Sequence, residues 1–217
     1  MLSLYITYIV PLSVLLPLVN ALLNFRYLTK PFKIIFWFVL FSGIINAISI
    51  VLSDVFNKQN LIIFHLYTIF EFVMLSAFYY CFQNKKGKNF ISWLIGVFTI
   101  LYLVNFYFES ISVNATYRHS LSAVIMIIFS MQFIFKQSER DDKDNWGADG
   151  LNWINTGILI YYSSGLFLFM TSNYFLTVSR FMGYLIWSVH DTILLLEYIL
   201  FAIGFYKCKT QQTTFTY

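Results

Sequence analysis

Three acidic residues, Glu71, Asp191 and Glu197, lie within the long apolar stretches of this 217-residue chain. All other Lys, Arg, Asp and Glu residues lie outside those stretches. An ionisable side chain is costly in hydrocarbon, so it normally faces the interior of a helix bundle and marks a functional site. A histidine precedes each glutamate by about two helical turns, His65 before Glu71 and His190 before Glu197. This pattern indicates where chemistry takes place, but not which ligand or reaction is involved.

Helical periodicity groups these residues with other polar and aromatic side chains. At about 100° per residue, Tyr67 and Thr68 share an arc with Glu71, and Trp187 shares one with Glu197. We expect both arcs to face one polar cavity. A rise of about 1.5 Å per residue sets both glutamates near the middle of the membrane, with the histidines nearer one surface. The predicted cavity residues are Glu71, Glu197, His65, His190, Asp191, Thr68, Tyr67 and Trp187.

Two chemical interpretations of the central glutamates remain open. Two carboxyl groups that face one cavity can share a proton or pair with a cationic ligand. Alternatively, each glutamate is neutral and joins helices by hydrogen bonds, with Tyr67, Tyr198 or Asn46 as its partner. One sequence does not separate these interpretations.

A metal site is a further alternative. His65, His119, His190 and Asp191 together have the donor types that hold catalytic zinc and leave a position for an activated water. No His-x-x-x-His pair is present. The seven-helix hydrolases of the alkaline-ceramidase and adiponectin-receptor group need such a pair on their last helix, where this chain has only His190. We therefore expect no cofactor and retain zinc as the alternative.

The elements that position these residues follow from composition. Hydrophobic residues make up 59% of the chain, aromatic residues 21% and charged residues 11%, far from the average of soluble proteins. Apolar runs of roughly 17 to 25 residues can cross a membrane as helices. The sequence predicts an all-α bundle of seven transmembrane helices in a single domain, residues 1–217, with one long cytoplasmic loop at 136–152. The predicted helices are 4–23, 34–53, 60–82, 90–108, 119–135, 153–176 and 185–206.

Basic residues predict the orientation of the bundle. Eleven Lys and Arg residues fall on one side of the predicted helices, and only Lys58, Arg118 and Arg180 fall on the other. The side rich in basic residues normally lies in the cytoplasm. We therefore predict an extracytoplasmic N-terminus and a cytoplasmic C-terminus, in a multi-pass protein of a bacterial-type inner membrane or plasma membrane.

The third and seventh predicted helices resemble each other, which suggests an internal repeat. Each has a histidine followed by a glutamate, and Ser42-Gly43 and Ser164-Gly165 precede them in the second and sixth helices. Two parallel triplets joined by the fourth helix would explain this pattern. The plan resembles that of the seven-helix sugar and vitamin carriers, although the chain has no Pro-Gln pair of the PQ-loop kind.

Three classes of function agree with these features. The favoured one is a small-solute carrier or ligand-binding membrane protein whose partner is a small molecule or proton. The alternatives are a metal-dependent intramembrane lipid hydrolase, and a receptor-like subunit that binds a protein partner or a second copy without catalysis. Retinal binding is excluded, because the seventh predicted helix has no central lysine, and no Walker loop, dinucleotide fingerprint or nucleophile elbow occurs. The lipid bilayer is a partner in every case, and nucleic acid in none.

Overall fold

The structure, a computed structural model, describes residues 5–52, 61–108, 116–139, 146–175 and 179–209. All regular secondary structure in these ranges is helical. A π-helical turn at Tyr5–Ile9 precedes the first long helix. The long helices are α1 (Val10–Leu23), α2 (Lys30–Ile50), α3 (Leu61–Tyr80), α4 (Lys85–Phe108), α5 (Thr116–Ser138), α6 (Gly150–Phe175) and α7 (Arg180–Lys207).

Five of these helices are long and apolar enough to cross a membrane: α2, α4, α5, α6 and α7. The chain is therefore an all-helical protein with the character of a multi-pass membrane protein. The apolar stretches of α1 and α3 are shorter. A helix overlaps each of the seven predicted segments, while the number of crossings and the orientation stay predictions.

Several helices begin earlier than the apolar pattern predicts. Helix α4 begins at Lys85 rather than at residue 90, and α6 begins at Gly150 rather than at residue 153. Polar side chains explain these early starts, because they accept hydrogen bonds from free N–H groups of the first turn. Asn84 Oδ1 accepts from the Gly87 amide at 2.9 Å, and Asp149 Oδ1 accepts from the Leu151 amide at 2.8 Å. Apolar runs mark only the part of each helix that lies in hydrocarbon.

Helix α1 is interrupted between Leu12 and Leu15. Pro17 has no N–H group to donate to the carbonyl of Ser13, four residues earlier. The Ser13 carbonyl instead accepts from the Leu16 amide at 3.0 Å. The interruption therefore follows from the donor that Pro17 lacks.

Six of the helices form a closed ring in the order α1, α2, α3, α5, α6 and α7, with α7 packed against α1. Helix α4 lies outside the ring against α3. These pairings bring α3 and α7, the two helices with a central glutamate, to opposite parts of the ring.

Glycines allow α6 and α7 to pack unusually closely. A Cβ atom on Gly204 would lie 2.8 Å from the Gly150 carbonyl oxygen and 2.7 Å from Cγ1 of Ile154. A Cβ atom on Gly150 would in turn collide with the carbonyl of Gly204. Backbones approach in this way only where small residues line both helices. We call this contact of Gly204 with Gly150 and Ile154 the α6–α7 seam. It fixes the position of α7 along the axis of α6, and with it the position of Glu197.

Candidate functional site

Glu71 on α3 and Glu197 on α7 are both buried, with exposed fractions of 7% and 3%. Their carboxyl groups lie close enough to interact electrostatically. The two helices contribute these groups from different parts of the ring, so the glutamates meet inside it. In the interior of a helix bundle, interactions between charges are stronger than in water.

Four tyrosines interact electrostatically with these carboxyl groups. Tyr67 and Tyr198 come from the same helices as the glutamates, and Tyr161 and Tyr162 come from α6. Each of the four interacts electrostatically with Glu71. The hydroxyl of Tyr67 also bonds to Ser42 on α2, at 2.9 Å. We call this group the central cluster: Glu71, Glu197, Tyr67, Tyr161, Tyr162 and Tyr198.

The charge of the central cluster is not balanced by a basic side chain. In the part of the chain that the structure describes, no Lys or Arg is among the groups that act on Glu71 or Glu197. The Tyr162 hydroxyl lies within hydrogen-bonding reach of the Glu71 carboxyl group, which is its partner in the cluster.

Gly157 on α6 makes room for Glu197. A Cβ atom at this position would lie 3.4 Å from Cγ of Glu197 and 3.0 Å from Cε1 of Phe201. A larger residue would push both side chains away from α6. The absence of a side chain at Gly157 therefore helps to hold the Glu197 carboxyl group inside the cluster.

Two histidines lie next to the central cluster, on either side of Phe169. The His190 ring centroid is 5.5 Å from that of Phe169, and the His119 centroid is 5.6 Å from it. His190 Nε2 lies 3.4 Å from the Tyr161 hydroxyl, and its buried Nδ1 has no hydrogen-bond partner. His119 Nε2 lies 3.2 Å from Oγ1 of Thr68, which is fully buried. We call His119, Phe169 and His190 the histidine layer.

The structure describes three of the four residues of the zinc alternative, His119, His190 and Asp191. Phe169 separates His119 from His190, and no three His, Cys, Asp or Glu side chains converge in the part of the chain described. Asp191 is half-buried and interacts electrostatically with Tyr161. The side chain of His65, the fourth predicted ligand, lies outside the described residues.

The arc of α7 that was predicted to face inward includes an exposed residue, Trp187. Trp187 is 42% exposed, although its ring centroid lies 5.8 Å from that of His190. Glu197, His190 and Tyr198 of the same arc are buried. Trp187 thus borders the histidine layer from outside the core.

A second buried polar group lies on the other side of the central cluster and joins α3, α5 and α6. Asn155 Oδ1 accepts hydrogen bonds from the Tyr79 hydroxyl and from the Ser130 hydroxyl, each at 2.9 Å. Tyr79 also interacts electrostatically with Glu197. Polar side chains therefore continue through the bundle from the histidine layer, past the glutamates, to Asn155.

The sequence analysis did not assign Tyr161 and Tyr162 to the site. They stand beside each other in an apolar segment, where aromatic residues usually face lipid or pack in the core. Their position just before Ser163-Ser164 was the available signal, because it concentrates four hydroxyl groups in one helical turn. The prediction used the helical periodicity of α3 and α7 alone, so it did not consider residues of α6.

Comparison with profiles of protein families, with curated proteins and with solved structures gives no match to this chain.

Proposed function

We propose that this chain is a small-solute carrier or ligand-binding membrane protein whose binding site is the central cluster. One observation carries the proposal: two buried carboxyl groups, from α3 and α7, interact electrostatically, and no Lys or Arg of the described residues acts on either one. Leaving two like charges together in a low-dielectric interior is costly. A proton or a bound ligand relieves that repulsion. Binding of either one therefore changes the net charge of the site.

The ring of helices supports a carrier over a static receptor. The helices of the first triplet, α1–α3, can be matched in order to those of the second, α5–α7. Each pair of neighbours in the ring then corresponds to another pair of neighbours: α1–α2 to α5–α6, α2–α3 to α6–α7, and α3–α5 to α7–α1. Parallel repeats of this kind place the substrate site at the repeat interface in several carriers. Glu71 and Glu197 occupy equivalent helices under this exchange, as we expect for such a site.

A hydrophobic carbodiimide tests the proposal. This reagent enters the bilayer and reacts with protonated carboxyl groups that a small molecule can reach, forming a stable adduct detectable by peptide mass spectrometry. We expect an adduct on Glu71 or Glu197 in protein reconstituted into liposomes. The exposed Glu139 at the end of α5 is the internal control, because an ionised carboxylate in water reacts poorly.

The absence of carbodiimide adducts on both glutamates would contradict the proposal. If both glutamates are sealed contacts between helices, neither forms an adduct in folded protein, although both react once the protein is unfolded at a pH low enough to protonate carboxyl groups. That result would reject a binding site at the central cluster and favour the receptor-like interpretation, in which polar groups serve packing alone.

A further inference from the structure

We infer that an anionic phospholipid binds in a groove between α4 and α5, with its phosphate on the lysines at one end of the groove. Four lysines form this end: Lys85, Lys86 and Lys88 at the start of α4, and Lys136 near the end of α5. We call these four residues the lysine group. The site lies on the outer surface of the bundle and does not depend on the central cluster.

The groove follows from the way in which α4 packs. Helix α3 packs against both α4 and α5, whereas α4 and α5 have at most marginal contact with each other. Phe72 of α3 stacks on Phe98 of α4, with ring centroids 3.8 Å apart, and Tyr79 of α3 lies 5.7 Å from Phe129 of α5. Residues seven apart lie on nearly the same face of a helix, so α4 and α5 stand side by side on α3. Helix α3 is therefore the floor of a groove, and α4 and α5 are its walls.

The lysine group is brought together at one end of this groove. Nζ of Lys136 donates to the Phe82 carbonyl oxygen at 3.3 Å and to Oε1 of Gln83 at 2.5 Å, which joins the end of α5 to the turn between α3 and α4. Nζ of Lys88 lies 5.4 Å from the centre of the Tyr80 ring, at the end of α3. The two walls thus place their lysines around the same turn.

The charge of the lysine group is not balanced in the described part of the chain. None of its four members makes an ion pair with a described acidic side chain. The nearest acidic residue along α5, Glu139, is exposed, and Asp149 accepts a hydrogen bond from Gln137 at 3.3 Å. Basic groups that cluster beside a membrane attract anionic lipid headgroups, and basic pockets between helices hold their phosphates.

The exposed side of α4 continues this surface with side chains suited to the rest of a lipid. Phe90 and Trp93, one to two turns from the lysines, are exposed and stack with ring centroids 6.4 Å apart. Ile100, Leu103 and Val104 are exposed nearer the other end. Aromatic rings favour the headgroup level and aliphatic side chains favour hydrocarbon. Charge, aromatic rings and aliphatic groups therefore follow each other in the order of phosphate, glycerol and acyl chains in a phospholipid.

Native mass spectrometry of the full chain in detergent micelles tests the inference. The protein is mixed with equal amounts of phosphatidylglycerol and phosphatidylcholine that have the same acyl chains, so the two lipids differ only in the headgroup. We expect a bound lipid that is phosphatidylglycerol, preferred by at least about tenfold. Glycerol phosphate, which has the charge but no acyl chains, should not displace it at equal concentration.

Two double variants with the same loss of charge assign the lipid to the groove. Lys85→Gln, Lys86→Gln removes two exposed members of the lysine group and should weaken phosphatidylglycerol binding by about tenfold or more, since each basic group near the lipid is worth about fivefold. Arg26→Gln, Lys209→Gln removes two exposed basic groups at the same end of the bundle, beside α1 and α7, and should leave binding unchanged. Circular dichroism and thermal unfolding show that both proteins are folded.

Three results would overturn the inference. Equal retention of the two lipids would show that the headgroup charge is not recognised. An equal loss of binding in both double variants would show attraction to the whole basic end of the bundle rather than a site in the groove. Displacement of the lipid by glycerol phosphate would identify a site for a soluble phosphate compound.

Discussion

The six side chains of the central cluster combine negative charge with aromatic rings in one buried region. Glu71 and Glu197 alone could be explained as neutral contacts between helices. Four tyrosines interact electrostatically with Glu71, and the hydroxyl of one of them, Tyr162, lies within hydrogen-bonding reach of its carboxyl group. The chemistry of the site therefore depends on residues from three helices rather than on one motif.

Two tyrosines provide a matched test of this residue-scale description. Tyr79 and Tyr162 are both almost fully buried; the Tyr79 hydroxyl donates to Asn155 at 2.9 Å, and the Tyr162 hydroxyl lies within hydrogen-bonding reach of the Glu71 carboxyl group. We expect Tyr79→Phe to lower the free energy of unfolding by about 1 kcal/mol, the usual net value of one hydrogen bond. Tyr162→Phe should lower that free energy by at least as much, because it leaves the buried Glu71 carboxyl group without this partner.

Thermal unfolding in the same detergent measures both variants. Destabilisation by Tyr79→Phe but not by Tyr162→Phe would show that the Tyr162 hydroxyl does not stabilise the Glu71 carboxyl group. Retained helix content by circular dichroism is required of both proteins.

The sequence singles out the two glutamates but not the residues that surround them in the structure. Glu71 and Glu197 were identified because a carboxyl group in an apolar segment is chemically unusual. Tyr161 and Tyr162 were missed because tyrosine is common in this chain, and only tertiary packing decides which rings meet a carboxyl group. Likewise, no sequence pattern placed Phe169 between His119 and His190.

At the scale of elements, the α6–α7 seam determines where Glu197 lies. We expect Gly204→Ala to destabilise the protein by roughly 1–3 kcal/mol, because the new methyl group collides with Ile154 and with the Gly150 carbonyl. Gly183→Ala is the matched control on the same helix, since a Cβ atom there meets nothing within 4 Å. Alanine at Gly183 should be neutral or slightly stabilising, because alanine favours helix.

Thermal unfolding and carbodiimide labelling are measured on both glycine variants. A Gly204→Ala protein as stable as the Gly183→Ala protein would show that the helices separate easily, and that the seam does not hold Glu197 in place. Labelling tests the same point locally, because a displaced α7 should change the yield of the Glu197 adduct.

Helix identity was easier to predict than helix ends. An apolar run overlaps each of the seven long helices in the described residues, because hydrophobic length is the strongest signal in a membrane protein. The polar first turns were missed at α4 and α6, where Asn84 and Asp149 cap the helix in a region without apolar character. Neighbour relations, including the position of α4 outside the ring, depend on contacts distant in sequence and could not be read from periodicity.

At the scale of the whole molecule, the orientation of the chain remains a testable prediction. A cysteine introduced at Lys86 should react with an impermeant maleimide only after the membrane is opened, because basic loops lie in the cytoplasm. The native thiols are replaced by alanine in this experiment. Burial raises the pKa of Cys81 and of Cys208, so both native thiols should react slowly at neutral pH in any case.

A cysteine introduced at Lys58 is the partner control, since it should react in intact cells. Reaction at position 86 in intact cells, with protection at position 58, would invert the orientation. The arrangement of helices around the central cluster would be unaffected, but the side from which ligand enters would change.

The most direct test of the whole account is whether Glu71 and Glu197 ionise as a pair. Infrared difference spectroscopy of the reconstituted protein follows the C=O stretch of each protonated carboxyl group through a pH titration, and the two single Gln variants assign the bands. In a shared site, replacing one glutamate by neutral Gln removes the repulsion on the other, so the remaining band should disappear at lower pH than in the unmodified chain. A band that titrates at the same pH with and without the second carboxyl group would contradict a shared site.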